Sequence, residues 1–333
     1  MDTLQLGDLW IHGGVKVKTR LTHLLGIDVP IIQGGLANLA YAELASAVSN
    51  AGGLGQVTAT SLNSPDELRQ EIRKTRALTS KPFGVNLAIS QHHDVDGLLD
   101  VIIDEGVSVV SLTGGNPEPI LQRLRDLPIR KLVLVAAVRQ AVKAEQLGAD
   151  AVMAVGQEGG GHIGRADVGT MVLVPRVVDS VSIPVVASGG IADGRGLAAA
   201  LALGAEGIEM GTRFVATQEC IAHAAYKQAL VQGQENETVV IKRSIGAPGR
   251  VLNSKWVEAI LQEESAGTTA TALYPYISGN RNLLAAREGS LDDGYAWAGQ
   301  SMGLIHDVPT VAELFQDMLE TARVASERLT KCW

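Results

Sequence analysis

The run GGGHIG, from Gly159 to Gly164, holds a single imidazole, His162, in backbone almost without side chains. Glycine lets main chain approach a flat or anionic ligand without Cβ clashes, at an entropic cost that a plain connector would avoid. A histidine near neutral pH hydrogen-bonds an anionic oxygen when protonated and takes a proton from an acidic C–H when neutral. Two more glycine motifs accompany it: ASGGIADGRG from Ala187 to Gly196, and MGTRF from Met210 to Phe214. Backbone N–H groups at such turns bind phosphate, which places an anion at Gly189–Gly190 and Gly211–Thr212.

Other chemically capable residues carry weaker patterns. His92, His93 and Asp94 look like a metal cluster, but adjacent residues on one loop rarely converge on one ion. They read as solvated or mouth-lining groups, with His93 at most bordering a substrate. Cys220 and His223 have CxxH spacing in an expected helix, with no second pair to complete a metal site; no metal is expected. His12, His23 and His306 have no convergent partners and read as surface or packing residues. In a chain with 4% aromatics, Tyr274, Tyr276 and Trp297 cluster in the C-terminal third. Walling a substrate pocket and packing a small core are both open to them.

The elements that must position these residues follow one repeat: a short apolar run, a Gly-rich or polar turn, then a stretch of helical spacing. The runs begin at Val29, Gly53, Phe83, Val107, Lys131, Ala151, Ile183 and Gly207, which makes eight strands. Eight β-α units in the first 230 residues or so predict an α/β fold of the (β/α)8 TIM barrel type, with the glycine motifs at the ligand-binding carboxyl ends of strands. Gly159, Gly161 and Gly164 also match GxGxxG, the dinucleotide fingerprint of a Rossmann fold. The acid that fingerprint needs is Asp179, which falls in an expected helix and not at a strand tip. Strand count decides for the barrel. After about residue 232 the repeat stops, and helical pieces around 253–264 and 280–288 predict a smaller helical second domain inserted after strand eight and covering the mouth. The expected domains are 1–217 plus 288–333 for the barrel and 218–287 for the cover. A final amphipathic helix from Thr310 should pack back on the barrel.

Composition sets the outer bounds. The 333 residues are 46% apolar and 19% charged, with 37 glycines, as in a globular α/β enzyme with an aliphatic core. A net charge of −8 without a basic run argues against nucleic-acid binding. Two cysteines make no disulfide framework, the N-terminus carries acids, and no long apolar stretch appears. A cytoplasmic protein with no membrane span is expected, and the oligomeric state, a homodimer included, is left open.

Together, QGGLANLAYAELASAVSNAGGLG, KPFGVN, GQEGGGHIG, ASGGIADGRG, MGTRF and AGQ occur in an order and spacing that closely resemble the nitronate monooxygenase family, formerly the 2-nitropropane dioxygenases. That family includes flavin-dependent enoyl-acyl-carrier-protein reductases and NADH:quinone reductases. The resemblance implies a barrel holding FMN, with His162 as the catalytic residue. It implies that Gln33, Gly34 and Gly35 line the flavin ring, that Asn86 bonds its pyrimidine side, and that Gly189, Gly190, Gly211 and Thr212 hold the phosphate. Gln300 would return to the same pocket, and Glu158, Gly161 and Ser188 complete the implied cofactor set. The implied activity is oxidation of alkyl nitronates, and of nitroalkanes, with O2. The alternative is NAD(P)H-dependent reduction of enoyl thioesters or quinones. Two departures bear on the branch. Residues 33–36 read Gln-Gly-Gly-Leu where many nitronate monooxygenases carry Ala-Pro-Met, and Gly159 replaces the commoner alanine.

Overall fold

A computed structural model describes residues 16–89 and 94–332. Eight strands form one parallel sheet: β1 (Ile31–Gln33), β2 (Gly55–Thr58), β3 (Phe83–Ala88), β4 (Val109–Thr113), β5 (Arg130–Val135), β6 (Ala151–Val155), β8 (Val185–Ser188) and β9 (Gly207–Met210). The seventh strand in chain order, β7 (Gly161–His162), belongs to a separate sheet. β1 pairs with β9, and a bridge from Ile32 to Leu54 beside β2 closes the circle into the expected (β/α)8 barrel. Seven of the eight strands fall within the apolar runs that predict them, and β5 begins one residue before its run, at Arg130.

Two apolar shells build the barrel. Inside, Ile32, Leu54, Val109, Leu132, Met153 and Val186 pack together, and the helix Arg20–Leu25 closes one end with Leu21 and Leu25. Thr19 Oγ1 donates to the Glu206 carbonyl just before β9, so that plug sits at the amino ends of the strands. The carboxyl ends remain for ligands. Outside, helices press Leu44, Val48, Leu68, Ile72, Leu98 and Val174 onto the strands; burying each such side chain contributes about 1.5–3 kcal/mol.

Beyond β9 the chain forms a hairpin as well as helices. β10 (Thr238–Ile241) and β11 (Gly249–Leu252) are antiparallel, followed by the helices Lys255–Ser265, Ala270–Ile277 and Gly279–Glu288. Ile241, Val251, Val257, Ile260, Leu273 and Tyr295 give this part its own core. The sequence shows the first and third of these helices within one or two residues, but not the helix Ala270–Ile277 nor the hairpin, whose strands of four residues each are too short to display alternation. Cys220 precedes the helix Ala224–Gln232 and does not share it with His223. His223 caps that helix, its Nδ1 accepting from the Ala225 N–H. Among the described residues no cluster of three or more His, Cys, Asp or Glu could hold a metal, and no helix is long and apolar enough to cross a membrane. His12, His92 and His93 lie outside the described residues; His23 and His306 are exposed.

The last helix, Val311–Thr330, starts with a capping box: Thr310 Oγ1 accepts from the Glu313 N–H, and Glu313 Oε2 accepts from the Thr310 N–H. It lies against the helix Gly194–Ala202 so closely that a Cβ on Gly194 would sit 2.0 Å from the Met318 carbonyl oxygen. Gly194→Val should therefore force the two helices apart and destabilise the protein by about 2 kcal/mol or more. A thermal melt checks this, and an unchanged melting temperature would mean that the contact yields without cost.

Candidate active site

His162 is fixed by pairing rather than by its glycines. β7 runs antiparallel to β11, with Gly161 opposite Arg250 and His162 opposite Gly249. Neighbouring bonds extend this contact. The Ile163 N–H donates to the Pro248 carbonyl (3.1 Å), Arg165 Nε to the Gly246 carbonyl (2.8 Å), and Arg250 Nε to the Gln157 carbonyl (2.9 Å). Gln157 Nε2 donates to the carbonyls of Gly164 and Ala166, both at 2.7 Å, and draws the loop closed.

The imidazole lies beside Trp297, ring centroids 5.0 Å apart, and its Nε2 is 2.9 Å from Lys242 Nζ. Lys242 directly follows β10 with φ 63°, a left-handed backbone that lysine rarely adopts, and its N–H donates to Glu264 Oε2 at 2.7 Å. Its ammonium stands 4.9 Å from the Trp297 ring centroid, a cation–π contact of about 1–2 kcal/mol where water is kept away. Burial pushes Lys242 down to about 8, with Glu264 opposing, so most of it is charged at neutral pH. An ammonium can only donate. Nε2 of His162 therefore accepts, and the ring proton resides on Nδ1. Burial, and then the Lys242 charge, push His162 down to about 3. The residue stays partly open to solvent, and the sense of the shift is a neutral imidazole at pH 7.

His162 lines a cavity at the carboxyl ends of the barrel strands, and so do Gly35, Asn86, Gly161, Ser188, Gly189, Gly190, Gly211 and Thr212. The remaining implied cofactor residues are not among its lining residues. Gln33 is fully buried in the barrel wall, its Oε1 accepting from the Gln56 N–H at 2.9 Å. Gly34 is pressed against the Glu209 carboxyl. The Glu158 carboxylate accepts from the N–H and hydroxyl of Thr170, capping the helix Thr170–Val178. Gln300 reaches the mouth through its backbone, its N–H donating to the Glu158 carbonyl at 2.9 Å, and Ser301 lines the cavity instead. The preceding Gly299 N–H donates to Thr212 Oγ1 at 2.9 Å, which fastens the returning segment to the turn after β9.

Several features suit a flat ligand with one anionic end. Asn86 Nδ2 donates to Ser111 Oγ (2.9 Å), which leaves Oδ1 to accept from a ligand N–H. A Cβ on Gly35 would lie 2.1 Å from that Oδ1, so a side chain there would block it. Gly189 and Gly190 have φ of 87° and 78°, the left-handed region where glycine is at ease. No lysine or arginine is among the lining residues; an anion here would be held by main-chain N–H groups and hydroxyls. Of the three aromatics, Trp297 lines the cavity, Tyr274 is exposed, and Tyr276 packs on Trp256 with centroids 5.6 Å apart. Lys242, Glu209 and Tyr226 are site residues that sequence reasoning misses. Lys242 is 80 positions from His162, and no local spacing links them.

Comparison with known proteins agrees with this geometry. The family model described as nitronate monooxygenase matches residues 18–321. The chain is 33% identical to a probable nitronate monooxygenase of Staphylococcus saprophyticus, over 94% of this chain and 100% of that protein. It is 34% identical to the (3aS,4S,5R,7aS)-5-hydroxy-7a-methyl-1-oxo-octahydro-1H-indene-4-carboxyl-CoA dehydrogenase of Mycobacterium tuberculosis, over 92% of this chain and 96% of that one. Among solved structures it is similar to FabK from Thermotoga maritima, with a TM-score of 0.91 and 41% identity, covering 96% of this chain and 100% of the other.

If Lys242 holds the imidazole neutral, Lys242→Met should raise the His162 titration towards the ordinary value of about 6.5. An NMR pH titration of the ring checks this; an unmoved midpoint would remove Lys242 from the account.

Proposed function

The chain belongs to the nitronate monooxygenase family, and from that premise we propose that it is an FMN-dependent oxidoreductase of the nitronate monooxygenase type, oxidising alkyl nitronates with O2. The observation that carries the reading is the bond between Lys242 and His162 at the cavity wall, 2.9 Å long. With Nε2 engaged by an ammonium, that nitrogen has no lone pair to act as a base, and the ring N–H is on Nδ1. A nitronate is already deprotonated at carbon and needs no base. It needs a donor for its negative oxygen, which is what the pair offers.

The residues present fit FMN. Asn86 Oδ1 would accept from the ring edge, and the wall from Gly159 to Gly161 carries no side chain until His162. Ser188, Gly189, Gly190, Gly211 and Thr212 would surround the phosphate. Bound FMN supplies the redox centre that accepts the substrate's electrons. Trp297, beside the imidazole, and Tyr226 add aromatic surface to the cavity wall. The division into a barrel and a cover of residues 218–287 belongs to this proposal: cover and barrel each bring a wall to one cavity.

A second reading is favoured by the 41% identity with FabK and by the acyl-CoA named for the mycobacterial relative. In it, the same N–H would hold the carbonyl oxygen of an enoyl thioester, and NAD(P)H would be the electron donor. Anaerobic mixing with propionate 3-nitronate or with NADH separates the two. Rapid bleaching of the flavin by the nitronate is expected, and bleaching by NADH alone would overturn the first reading in favour of the second. His162→Ala should retain the flavin and lose about 10²-fold or more in turnover, the size of a lost acid or donor. Wild-type rates in that variant would make the imidazole a bystander.

A further inference from the structure

Glu209, on β9, brings the one carboxyl among the cavity's lining residues. It is 7% exposed and lies in register with Ile32 of β1 and Ser188 of β8. A Cβ on Gly34 would sit 2.8 Å from its Oε1, so the carboxyl is pressed onto the β1 backbone. Its side chain is hydrogen-bonded to that of Ser188. No lysine or arginine is among the lining residues to offset a negative charge there. An ion in such surroundings is unfavourable, and a carboxyl relieves the penalty by keeping its proton. Burial accordingly raises the Glu209 pKa, with the Ser188 bond opposing.

The other titratable groups nearby leave that conclusion in place. β1 and β8 contain none. His162 is neutral, and the Tyr226 hydroxyl donates to the Trp297 carbonyl. Glu158 is held by Thr170, and Arg213, in the turn after β9, is committed to Asp307 and the Ala216 carbonyl.

We propose that Glu209 meets the cofactor as a neutral carboxylic acid, donating its O–H to an acceptor atom of the flavin, and that loss of this proton weakens flavin retention. The inference rests on the FMN reading above. Ser188 and Gly211 flank Glu209, so the anionic group they would hold stands beside the carboxyl. A neutral acid tolerates that neighbour and bonds to it or to the ring, whereas a carboxylate repels it.

The test is the dissociation constant of FMN, read by quenching of flavin fluorescence from about pH 6 to about pH 9, in the wild type and in Glu209→Gln. Gln keeps the shape and a donor but cannot ionise. The wild-type constant should rise with pH, by up to about tenfold per unit once Glu209 ionises, and the variant should lack that component. Titration of the FMN phosphate is common to both proteins and cancels in the comparison. Identical profiles overturn the proposal.

If neither protein binds FMN, the flavin reading fails instead, and melting temperature against pH still reports on Glu209. A raised folded pKa gives stability that is full in acid and lost as pH rises through that pKa; the wild type should show this loss and Glu209→Gln should not. Should the variant fail to fold, infrared spectra of the wild type decide. A protonated carboxyl band at neutral pH that shifts when FMN is added supports the proposal, and its absence overturns it.

Discussion

Two residues of antiparallel pairing hold the mouth of this barrel together. Gly161 and His162 lie against Arg250 and Gly249, which joins the glycine loop after β6 to the hairpin of β10 and β11. Lys242 reaches the imidazole because it directly follows the first strand of that hairpin. Trp297 reaches it because Gly249 leaves room; a Cβ there would lie 2.6 Å from the indole. A loop of four glycines in six residues would otherwise sample many conformations, at a cost to any catalytic geometry. Here the chain keeps glycine for close approach and takes rigidity from a neighbouring element.

The cavity's electrostatics follow from what is absent as well as what is present. The chain is net acidic, yet the lining carries one carboxyl, one imidazole and no lysine or arginine. Low polarity around both groups favours their neutral forms. The cation sits one layer back, where Lys242 acts on the imidazole, so polar recognition falls to oriented N–H groups, hydroxyls and the Asn86 amide. Such a surface suits a ligand whose charge is spread over a ring system or shifts during reaction, since fixed dipoles need little reorganisation.

Much of the fold is legible in the sequence because its determinants are local. Parallel strands covered on both faces are continuous apolar runs, and VPIIQGG, KLVLVAAV and IPVVASGG are unmistakable as such. Helix starts announce themselves through Ser64 with Glu67 and Thr310 with Glu313. The glycine motifs point to the carboxyl ends of strands, and His162, Gly35, Asn86 and the residues after β8 and β9 do converge on one cavity. Motif membership does not say which way a side chain faces. Glu158 and Gln33 belong to the same motifs, but one caps a helix and the other bonds to Gln56. Both reach backbone N–H groups that would otherwise be left unsatisfied, and that need outweighs facing the cavity.

The sequence by itself determined the barrel, the end at which ligands enter, the imidazole at that end and the family resemblance, since apolar period, capping residues and glycine placement are properties of short stretches of chain. Only the tertiary structure decided the state of that imidazole, the partner behind it and the uncharged environment of Glu209. Those depend on atoms brought within a few ångströms by strand register and docking, across separations as long as the 80 residues between His162 and Lys242. Proton affinity is set by such distances and by burial, and neither is written in the spacing of residues along a chain.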